Sequence, residues 1–194
     1  MSLKVQTWQG VKISEVFEQL AQLRIQVFKE YPYLYLGSVE YEKKYLTRYS
    51  DSELSFLIGV WDGSQLVGAS TAMPLRDEEN FIQQPFIKHN WNIEKIFYFG
   101  ESLLLPSYRG QGIGNLFFDS RESFISKNDF SVTTFCSVIR PGAHTLKPSG
   151  HRSHDSFWTK RGYIKHPELL THFEWQDIDQ DHESKKQMQF WVKR

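Results

Sequence analysis

A glycine-rich loop between an apolar segment and a helical segment constrains this chain more than any other feature. Residues 96–105 are apolar enough for a buried strand, and apolar residues recur at helical spacing over residues 113–127. Between them, the three glycines of residues 110–114 stand at alternate positions. Such glycines let the backbone fold tightly and point several N–H groups into one concavity. Because the N-terminus of the next helix adds partial positive charge, the pattern predicts an anion site suited to a pyrophosphate.

Two familiar phosphate-binding loops do not fit the sequence. The loop of nucleoside-triphosphate-binding proteins carries Lys and then Ser or Thr after its last glycine, whereas Asn115 and Leu116 follow Gly114. The dinucleotide-binding fingerprint needs glycine at its sixth position, and counting from Gly110 places Asn115 there. The sequence therefore argues against both nucleotide classes.

The spacing that does fit is Arg109-x-x-Gly112-x-Gly114. It resembles the coenzyme A-binding motif of the GNAT superfamily of acyl-CoA N-acyltransferases, whose pattern is Gln/Arg-x-x-Gly-x-Gly/Ala. Residues 157–163 (Phe-Trp-Thr-Lys-Arg-Gly-Tyr) also resemble the superfamily's Phe-Tyr-x-Lys-x-Gly-Phe box. The resemblance implies one GNAT domain over residues 1–194, of the α/β (α+β) class. Its expected sheet is mixed and mostly antiparallel, with about six to seven strands, flanking helices and central strands splayed around the cofactor.

The same resemblance implies that acetyl-CoA, or another acyl-CoA, is the co-substrate. Backbone groups of the motif strand would hydrogen-bond the pantetheine arm, and amides of the glycine loop would hold the pyrophosphate. The coenzyme-binding residues expected on this basis are Ser102, Leu103, Leu104, Arg109, Gly110, Gln111, Gly112, Ile113, Gly114 and Asn115.

Periodicity and turn residues predict the other elements of a single domain without repeats or linkers. Strands are expected over residues 4–9, 55–61, 65–73, 132–139, 169–175 and 187–192. Helices are expected from Ser14 to just before Pro32, over 39–49, and over 155–161 with Ser153 or Asp155 as cap and Gly162 as stop. Residues 76–95 carry so much apolar surface that they are expected to form a packed lid.

Charge and apolar runs exclude other classes of protein. The 23 Lys and Arg residues balance the 23 Asp and Glu residues, which argues against nucleic-acid binding. The longest apolar runs are too short to cross a bilayer, and no secretory signal is visible at the N-terminus. Cys136 is the only cysteine and lies in an apolar run, as a small core residue would. These features predict a cytoplasmic protein that binds neither membrane nor nucleic acid.

The loop 140–154 and the residues from 168 to 183 concentrate charge. His144, His151 and His154 lack the tight spacing of metal ligands, so no metal is expected, and the loop is interpreted as a solvated one that contacts the coenzyme A phosphates. Glu168, Glu174, Asp177, Asp179, Asp181 and Glu183 form a run without Lys or Arg. This run is interpreted as a solvated hairpin turn, with attraction of a cationic acceptor as the alternative.

Transfer of an acetyl group to an amine needs a neutral amine, an oxyanion donor and a proton for the departing thiolate. Glu101 is the only acidic residue of the motif strand and is therefore the candidate general base, an exposed or salt-bridged residue being the alternative. Strand alternation places Tyr98 and Gly100 on the face that the superfamily uses, and Glu101 on the other. A β-bulge, which is common in the superfamily, would turn Glu101 back. Tyr98, holding a water, is the alternative catalytic residue.

Trp158 stands where relatives often carry the tyrosine that protonates the leaving thiolate. An indole donates a hydrogen bond but is not a practical acid. Trp158 is therefore interpreted either as a wall of the pantetheine tunnel or as a core aromatic residue.

Two function hypotheses follow. The first is an N-acetyltransferase that passes an acetyl or short acyl group from acyl-CoA to a small-molecule or peptide amine, by direct attack in a ternary complex. The second is a catalytically weak or inactive GNAT-like module that binds acyl-CoA as a sensor or partner. A homodimer is left open, and the aromatic segments 31–49 and 76–91 are expected to shape the acceptor pocket.

Overall fold

A computed structural model describes residues 3–194, which form one seven-stranded sheet with helices on both faces. The strands are β1 (Lys4–Gln9), β2 (Phe56–Asp62), β3 (Gln65–Pro74), β4 (Ile96–Leu104), β5 (Val132–Val138), β6 (Ile164–Gln176) and β7 (Glu183–Lys193). The helices are α1 (Phe17–Phe28), α2 (Val39–Asp51), α3 (Asn80–Lys88), α4 (Ile113–Ile125) and α5 (Asp155–Lys160). Among the described residues no helix is both long enough and apolar enough to cross a membrane.

The sheet order is β1-β2-β3-β4-β5-β7-β6, and only the central β4–β5 pair is parallel. The connection between these two strands runs through α4. The predicted fold class is therefore confirmed, as are the hairpin, the motif strand and the motif helix to within one or two residues.

Four parts of the chain differ from their predicted extents. A 3-10 helix over Gly10–Val16 precedes α1, which ends at Phe28. The segment 76–95 is packed as expected, but it contains a helix, α3, that buries Ile82 and Phe86. The last two strands extend beyond their predicted bounds because backbone pairing continues through residues 164–165 and 183–186, whose sequence shows no apolar alternation.

The start of α5 corrects the predicted cap. His154 precedes the helix without a capping hydrogen bond from its side chain, whereas the Ser153 hydroxyl accepts from the Asp155 backbone N–H at 3.1 Å. The backbone N–H of Asp155, the first residue of the helix, therefore has Ser153 as its acceptor, one residue before the N-cap position at His154. Gly162, at φ +88°, ends the helix as predicted.

Strands β4 and β5 separate soon after they begin. They pair only between residues 96–98 and 132–134, after which β5 continues beside β7 while β4 stays paired with β3. The predicted splay of the central strands is thus confirmed. From Phe99 onward no strand of residues 3–194 pairs with the β5-facing edge of β4.

Strand β4 also carries a β-bulge. Ser70 pairs with Ser102 and Ala72 pairs with Phe99, so two steps along β3 correspond to three steps along β4. The extra residue lies within Gly100–Glu101, where the sequence analysis required a bulge if Glu101 was to change face.

Candidate functional site

The bulge in β4 places Gly100 and Glu101 on the same face of the sheet. Phe99 packs against Phe118 of α4 on one face. Gly100 and Glu101 both face the opposite side, toward α2 and α1, since a Cβ on Gly100 would meet Tyr49. Alternation then resumes, and Ser102 returns to the α4 face. Strict alternation would place Glu101 on the α4 face, whereas the bulge places its side chain on the face toward α1 and α2.

A cavity of about 100 Å³ lies on this face, between the splayed strands and helices α1 and α2. Glu101 and Tyr98, the two catalytic candidates, both line it. Its other lining residues are Arg24, Phe28, Tyr33, Tyr35, Tyr41, Tyr45, Gly100, Cys136, Phe173, Glu174, Trp175 and Met188. The aromatic segment 31–49 thus contributes to the cavity as expected, whereas no residue of the segment 76–91 lines it.

The Glu101 carboxylate is held in a buried ion-pair cluster. Its Oε2 atom lies 2.5 Å from Nη1 of Arg24, and Nε of Arg24 donates to Glu42. The side chains of Glu101, Arg24 and Glu42 are exposed by only 3%, 7% and 0%, so solvent screens these charges little. Burial alone would lower the pKa of Arg24, but the neighbouring charges, above all that of Glu101, hold it well above its usual value. Arg24 is therefore charged at any working pH.

The second carboxylate oxygen of Glu101 is free for another partner. Oε1 is buried and accepts no hydrogen bond within residues 3–194. A buried carboxylate oxygen without a donor is costly, so the geometry favours a ligand that brings one.

Tyr98 lies in the same cavity with its hydroxyl 3.2 Å from the sulfur of Cys136. Burial raises the pKa of Tyr98 well above its usual value and raises the pKa of Cys136 to about 12. Both groups are therefore neutral near pH 7. Cys136 is buried as predicted, and as a neutral thiol it is not an activated nucleophile.

The predicted phosphate loop has the conformation that its glycines suggest. Gly110 and Gly112 adopt φ angles of +77° and +83°, and a Cβ added at either would meet nothing within 4 Å. Within the described part of the chain, the backbone N–H groups of residues 110–114 donate no hydrogen bond. The loop therefore presents unused donors in open space at the N-terminus of a 13-residue helix.

Arg109, the first residue of the motif, braces this loop. Its Nη1 donates to Glu30 at 2.9 Å and its Nε donates to the carbonyl of Leu104 at 3.1 Å. The side chain thus ties the loop to the end of β4 and to the segment that follows α1.

Arg121 of α4 fixes the bulge from the other face. Its Nη1 donates to the carbonyl of Glu101 at 3.3 Å, its Nη2 donates to the Ser102 hydroxyl at 3.0 Å, and the Ser70 hydroxyl donates to the same Glu101 carbonyl at 2.6 Å. Arg121 is 1% exposed, and this burial lowers its pKa to about 10. Helix α4, which begins at the phosphate loop, is thereby connected to the strand position that orients Glu101.

Sequence reasoning missed Arg24 and Arg121. Each stands one helical turn from buried or half-buried apolar residues, Arg24 between Leu20 and Phe28 and Arg121 after Phe117. An arginine on the apolar stripe of an amphipathic helix is the signal that identifies such residues.

Trp158 belongs to an aromatic cluster beside β5. Its ring lies 5.0 Å from that of Phe135 and 5.1 Å from that of Trp191. Arg161, at the end of α5, donates to Asp119 and Glu122 of α4, so the short helix is fastened to the helix behind the phosphate loop. The ring of Phe157 lies 3.7 Å from the place of a Cβ on Gly114, which puts α5 beside the start of α4.

The side chains of two charged residues expected in solvated segments are almost fully covered, with 7% of Arg140 and 0% of Asp177 exposed. Arg140 makes two contacts with Asp177, at 2.6 and 2.9 Å, and donates to the backbone carbonyls of Pro32 and Tyr33. Asp177 has no exposed surface and also lies 3.4 Å from Nζ of Lys186. The solvated interpretation is therefore wrong for these two residues. They instead connect the aromatic segment 31–49 to the turn between β6 and β7.

Comparison with known proteins identifies the fold. No protein-family model matches the sequence, and no curated protein matches it. Solved structures do match. A GNAT-family acetyltransferase from Streptococcus pneumoniae has a TM-score of 0.60 at 10% identity, with 99% of each chain covered. A ribosomal-protein-alanine N-acetyltransferase from Brucella melitensis has a TM-score of 0.59 at 11% identity, covering 100% of this chain and 99% of the other.

The PaiA N-acetyltransferase of Thermoplasma acidophilum, solved in complex with coenzyme A, has a TM-score of 0.54 at 16% identity, covering 100% of this chain and 99% of the other. The chain therefore has the GNAT fold over its whole described length, as the motif resemblance implies.

Proposed function

We propose that the protein is an N-acyltransferase of the GNAT superfamily, which transfers an acetyl or other short acyl group from acyl-CoA to an amine. The observation that carries the proposal is the course of β4. The bulge in β4 orients the Glu101 side chain toward the cavity. Beyond Tyr98, β4 is no longer paired with β5, and its C-terminal end leads into the loop whose backbone N–H groups donate no hydrogen bond. The fold shared with acetyltransferases, one of them solved with coenzyme A, supports this reading.

The residues present fit an acyl-CoA. Ser102, Leu103 and Leu104 pair with β3 on one side only, so their groups on the β5 side are available to the pantetheine arm. The amides from Gly110 to Asn115, of which those up to Gly114 have no partner in the described chain, would hold the pyrophosphate. Arg109 would act there as a brace for the loop rather than as a free cation, because it is paired with Glu30.

Glu101 would prepare the acceptor. The amine nitrogen forms a bond to the acyl carbon while the carbon–sulfur bond breaks, and the electron pair of that bond leaves on the sulfur. The ammonium first gives one proton to Oε1 of Glu101, directly or through water, which leaves the neutral amine that attacks. The second proton, which the nitrogen loses as the amide forms, passes through water to the thiolate, which becomes the free thiol. Arg24 contacts the other oxygen, Oε2, and so fixes the position of the Glu101 carboxylate in the cavity.

The thiolate's proton has no dedicated donor in this proposal. Trp158 is packed between Phe135 and Trp191, which supports its role as a wall beside the cofactor. A thiol of coenzyme A is a fair leaving group, so water or the proton released by the amine suffices. Cys136 takes no part as an acyl carrier, because burial keeps it a neutral thiol.

A second candidate function is an acyl-CoA-binding module without catalysis. It is favoured by one observation, which is that the only carboxylate on β4 is already engaged by Arg24. Position 158, where the superfamily often carries a tyrosine, holds an indole, which is not a practical acid.

Two measurements separate these functions. Acetyl-CoA is titrated into the protein by calorimetry, and free thiol release is then followed with acetyl-CoA and a panel of amines. Saturable coenzyme binding together with amine-dependent thiol release is the expected result. Binding without thiol release from any acceptor would favour the module, and absence of coenzyme binding would overturn both.

A further inference from the structure

Resting on the proposed function, we infer that the acceptor is a primary amine that binds as a monocation, with an apolar or aromatic body and no acidic group. Its ammonium donates to Oε1 of Glu101. The inference starts from the charge count of the buried cluster, in which one arginine, Arg24, faces two carboxylates, Glu42 and Glu101. The cluster carries one negative charge in excess.

The contacts of the cluster leave one oxygen of each carboxylate without a hydrogen-bond partner. Oε2 of Glu101 and Oε2 of Glu42 both contact Arg24, whereas Oε1 of each residue has no partner among residues 3–194. Of the two carboxylates, only Glu101 lines the cavity. A cation in the cavity would therefore meet the unpaired oxygen directly, and it would also compensate a buried charge that is otherwise unbalanced.

The walls of the cavity suit a cation with an apolar body. Tyr33, Tyr45, Phe173 and Trp175 contribute aromatic surface, which attracts cations through the faces of the rings and also accommodates apolar groups. The guanidinium of Arg24 already lies 4.1 Å from the centre of the Tyr45 ring, so this surface stabilises a cation in the structure as it stands. Burial raises the pKa of Tyr33 and of Tyr45, which leaves both rings neutral.

The volume of the cavity limits the body of the acceptor. About 100 Å³ is well below the roughly 300–1,000 Å³ of pockets that enclose drug-sized ligands. The cavity therefore takes an amine with a short stem or one ring, either as a free molecule or as the end of a side chain.

The positive group that lines the cavity, Arg24, is already engaged by Glu42 and Glu101. Arg140 and Lys186 lie behind Trp175, where both contact Asp177, and neither lines the cavity. Arg140 uses its nitrogens on Asp177 and on two backbone carbonyls, and Lys186 donates to the carbonyl of Trp175. A carboxylate on the acceptor would therefore enter a site with excess negative charge, where it would have to compete with Glu42 and Glu101 for Arg24.

Binding is measured on the unreactive complex of the protein with coenzyme A, so that affinity is separated from catalysis. Benzylamine and 2-phenylethylamine are titrated at pH 7, beside the neutral isostere benzyl alcohol and the acid-bearing analogue phenylalanine. Both amines are expected to bind at least about tenfold more tightly than benzyl alcohol or phenylalanine, since a hydrogen bond to a charged group contributes that much. Equal or tighter binding of either analogue overturns the inference.

Variants locate the charge that is responsible. Glu101→Gln removes the negative charge of the carboxylate that accepts the hydrogen bond from the ammonium. Glu42→Gln removes the excess negative charge of the cluster at a residue that does not line the cavity. Each is expected to weaken benzylamine binding by about tenfold or more. The matched control is Glu79→Gln, which removes a half-exposed carboxylate from Arg48 outside the cavity and should change the affinity by less than about twofold. Unchanged benzylamine affinity in a folded Glu42→Gln protein overturns the inference, and the ligand series on the unaltered protein decides the question if that variant does not fold.

A further binding comparison distinguishes the two sources of such an ammonium group, a lysine side chain of a protein and a free amine. A capped peptide with one internal lysine is compared with butylamine, which carries the same group on a similar stem. Tighter binding of the peptide assigns the site to protein lysines, and tighter binding of butylamine assigns it to free amines. If coenzyme A binds and thiol is released with acid-bearing acceptors instead, the inference fails while the proposed function stands; if coenzyme A does not bind, the proposed function fails.

Discussion

The hydroxyl of Tyr49 occupies the space in which a side chain at position 100 would begin, so the β4 bulge is built around Gly100. Thr71 closes the same space, with its hydroxyl oxygen 2.8 Å from the place of that Cβ. Both groups lie on rigid elements, helix α2 and strand β3. The bulge that orients Glu101 therefore requires a residue without a Cβ atom at position 100.

Gly100→Ala should destabilise the fold and displace the bulge. Forcing a methyl group into a filled site costs about 1–3 kcal/mol, and the strand has to shift because Tyr49 is fully buried. Urea unfolding measures the loss of stability, and Gly142→Ala, at an open position, is the control. Adding Tyr49→Phe should recover part of the loss, and a Gly100→Ala protein as stable as the control would contradict this account.

The sequence could predict the fold because its signals are local. The glycine loop, the hairpin at Gly63 and the amphipathic stripe of α4 each depend on residues close together in the chain. The phosphate loop followed from the same kind of signal, since positive φ angles at Gly110 and Gly112 need no distant partner.

The orientation of Glu101 could not be predicted in this way. Whether it faces the cavity depends on a bulge, and the bulge is set by pairing with β3 and by hydrogen bonds from Ser70 and Arg121 to the Glu101 carbonyl. These groups are distant in sequence. The ion pair with Arg24 is likewise non-local, although an arginine on an apolar stripe is a detectable sign of it.

Gly112→Glu should abolish coenzyme binding and leave the protein folded. The side chain would project into open space at the phosphate loop, where its carboxylate repels a pyrophosphate. Position 112 has a positive φ, so the backbone strain that any side chain causes there needs a control of its own. Gly63→Glu supplies that control, because Gly63 has φ +59° and open space in the β2–β3 turn, outside the loop of residues 110–114. Calorimetric titration with acetyl-CoA should show binding to the Gly63 variant only, and equal affinities would remove the support for the loop.

The protein should lose stability at alkaline pH through Cys136. Burial raises the pKa of this thiol to about 12, compared with about 8.5 in an unfolded chain. The folded state therefore holds the proton more tightly, and the resulting stabilisation is fully present below pH 8.5 and is lost as the pH rises toward 12. The free energy of unfolding should fall with pH by up to about 1.4 kcal/mol per unit more than in Cys136→Ala. Urea unfolding at pH 8, 9 and 10 measures both slopes, and parallel slopes would contradict the prediction.

Glu101→Gln should slow acyl transfer by roughly 10²–10⁴-fold, the usual cost of losing a general base, without weakening acetyl-CoA binding. The glutamine keeps the shape of the side chain, so the contact with Arg24 loses charge but not position. The deficit should shrink as the pH approaches the pKa of the acceptor amine, because the free amine needs no base. Steady-state rates from pH 6 to 10 provide the comparison, and a deficit of less than a few fold at neutral pH would make Glu101 a structural residue.

Trp158→Phe should leave the turnover of a good amine acceptor within about tenfold while weakening acyl-CoA binding through lost packing area. The indole packs between Phe135 and Trp191, and a smaller ring there leaves part of the wall unfilled. Trp158→Tyr should be tolerated and should raise turnover slightly if the phenol supplies the thiolate's proton. Measuring turnover and coenzyme affinity on the same preparations distinguishes a wall from a donor. A loss of several orders of magnitude in turnover with binding intact would mean that the indole N–H donates in the transition state, and the passive role assigned to Trp158 would be wrong.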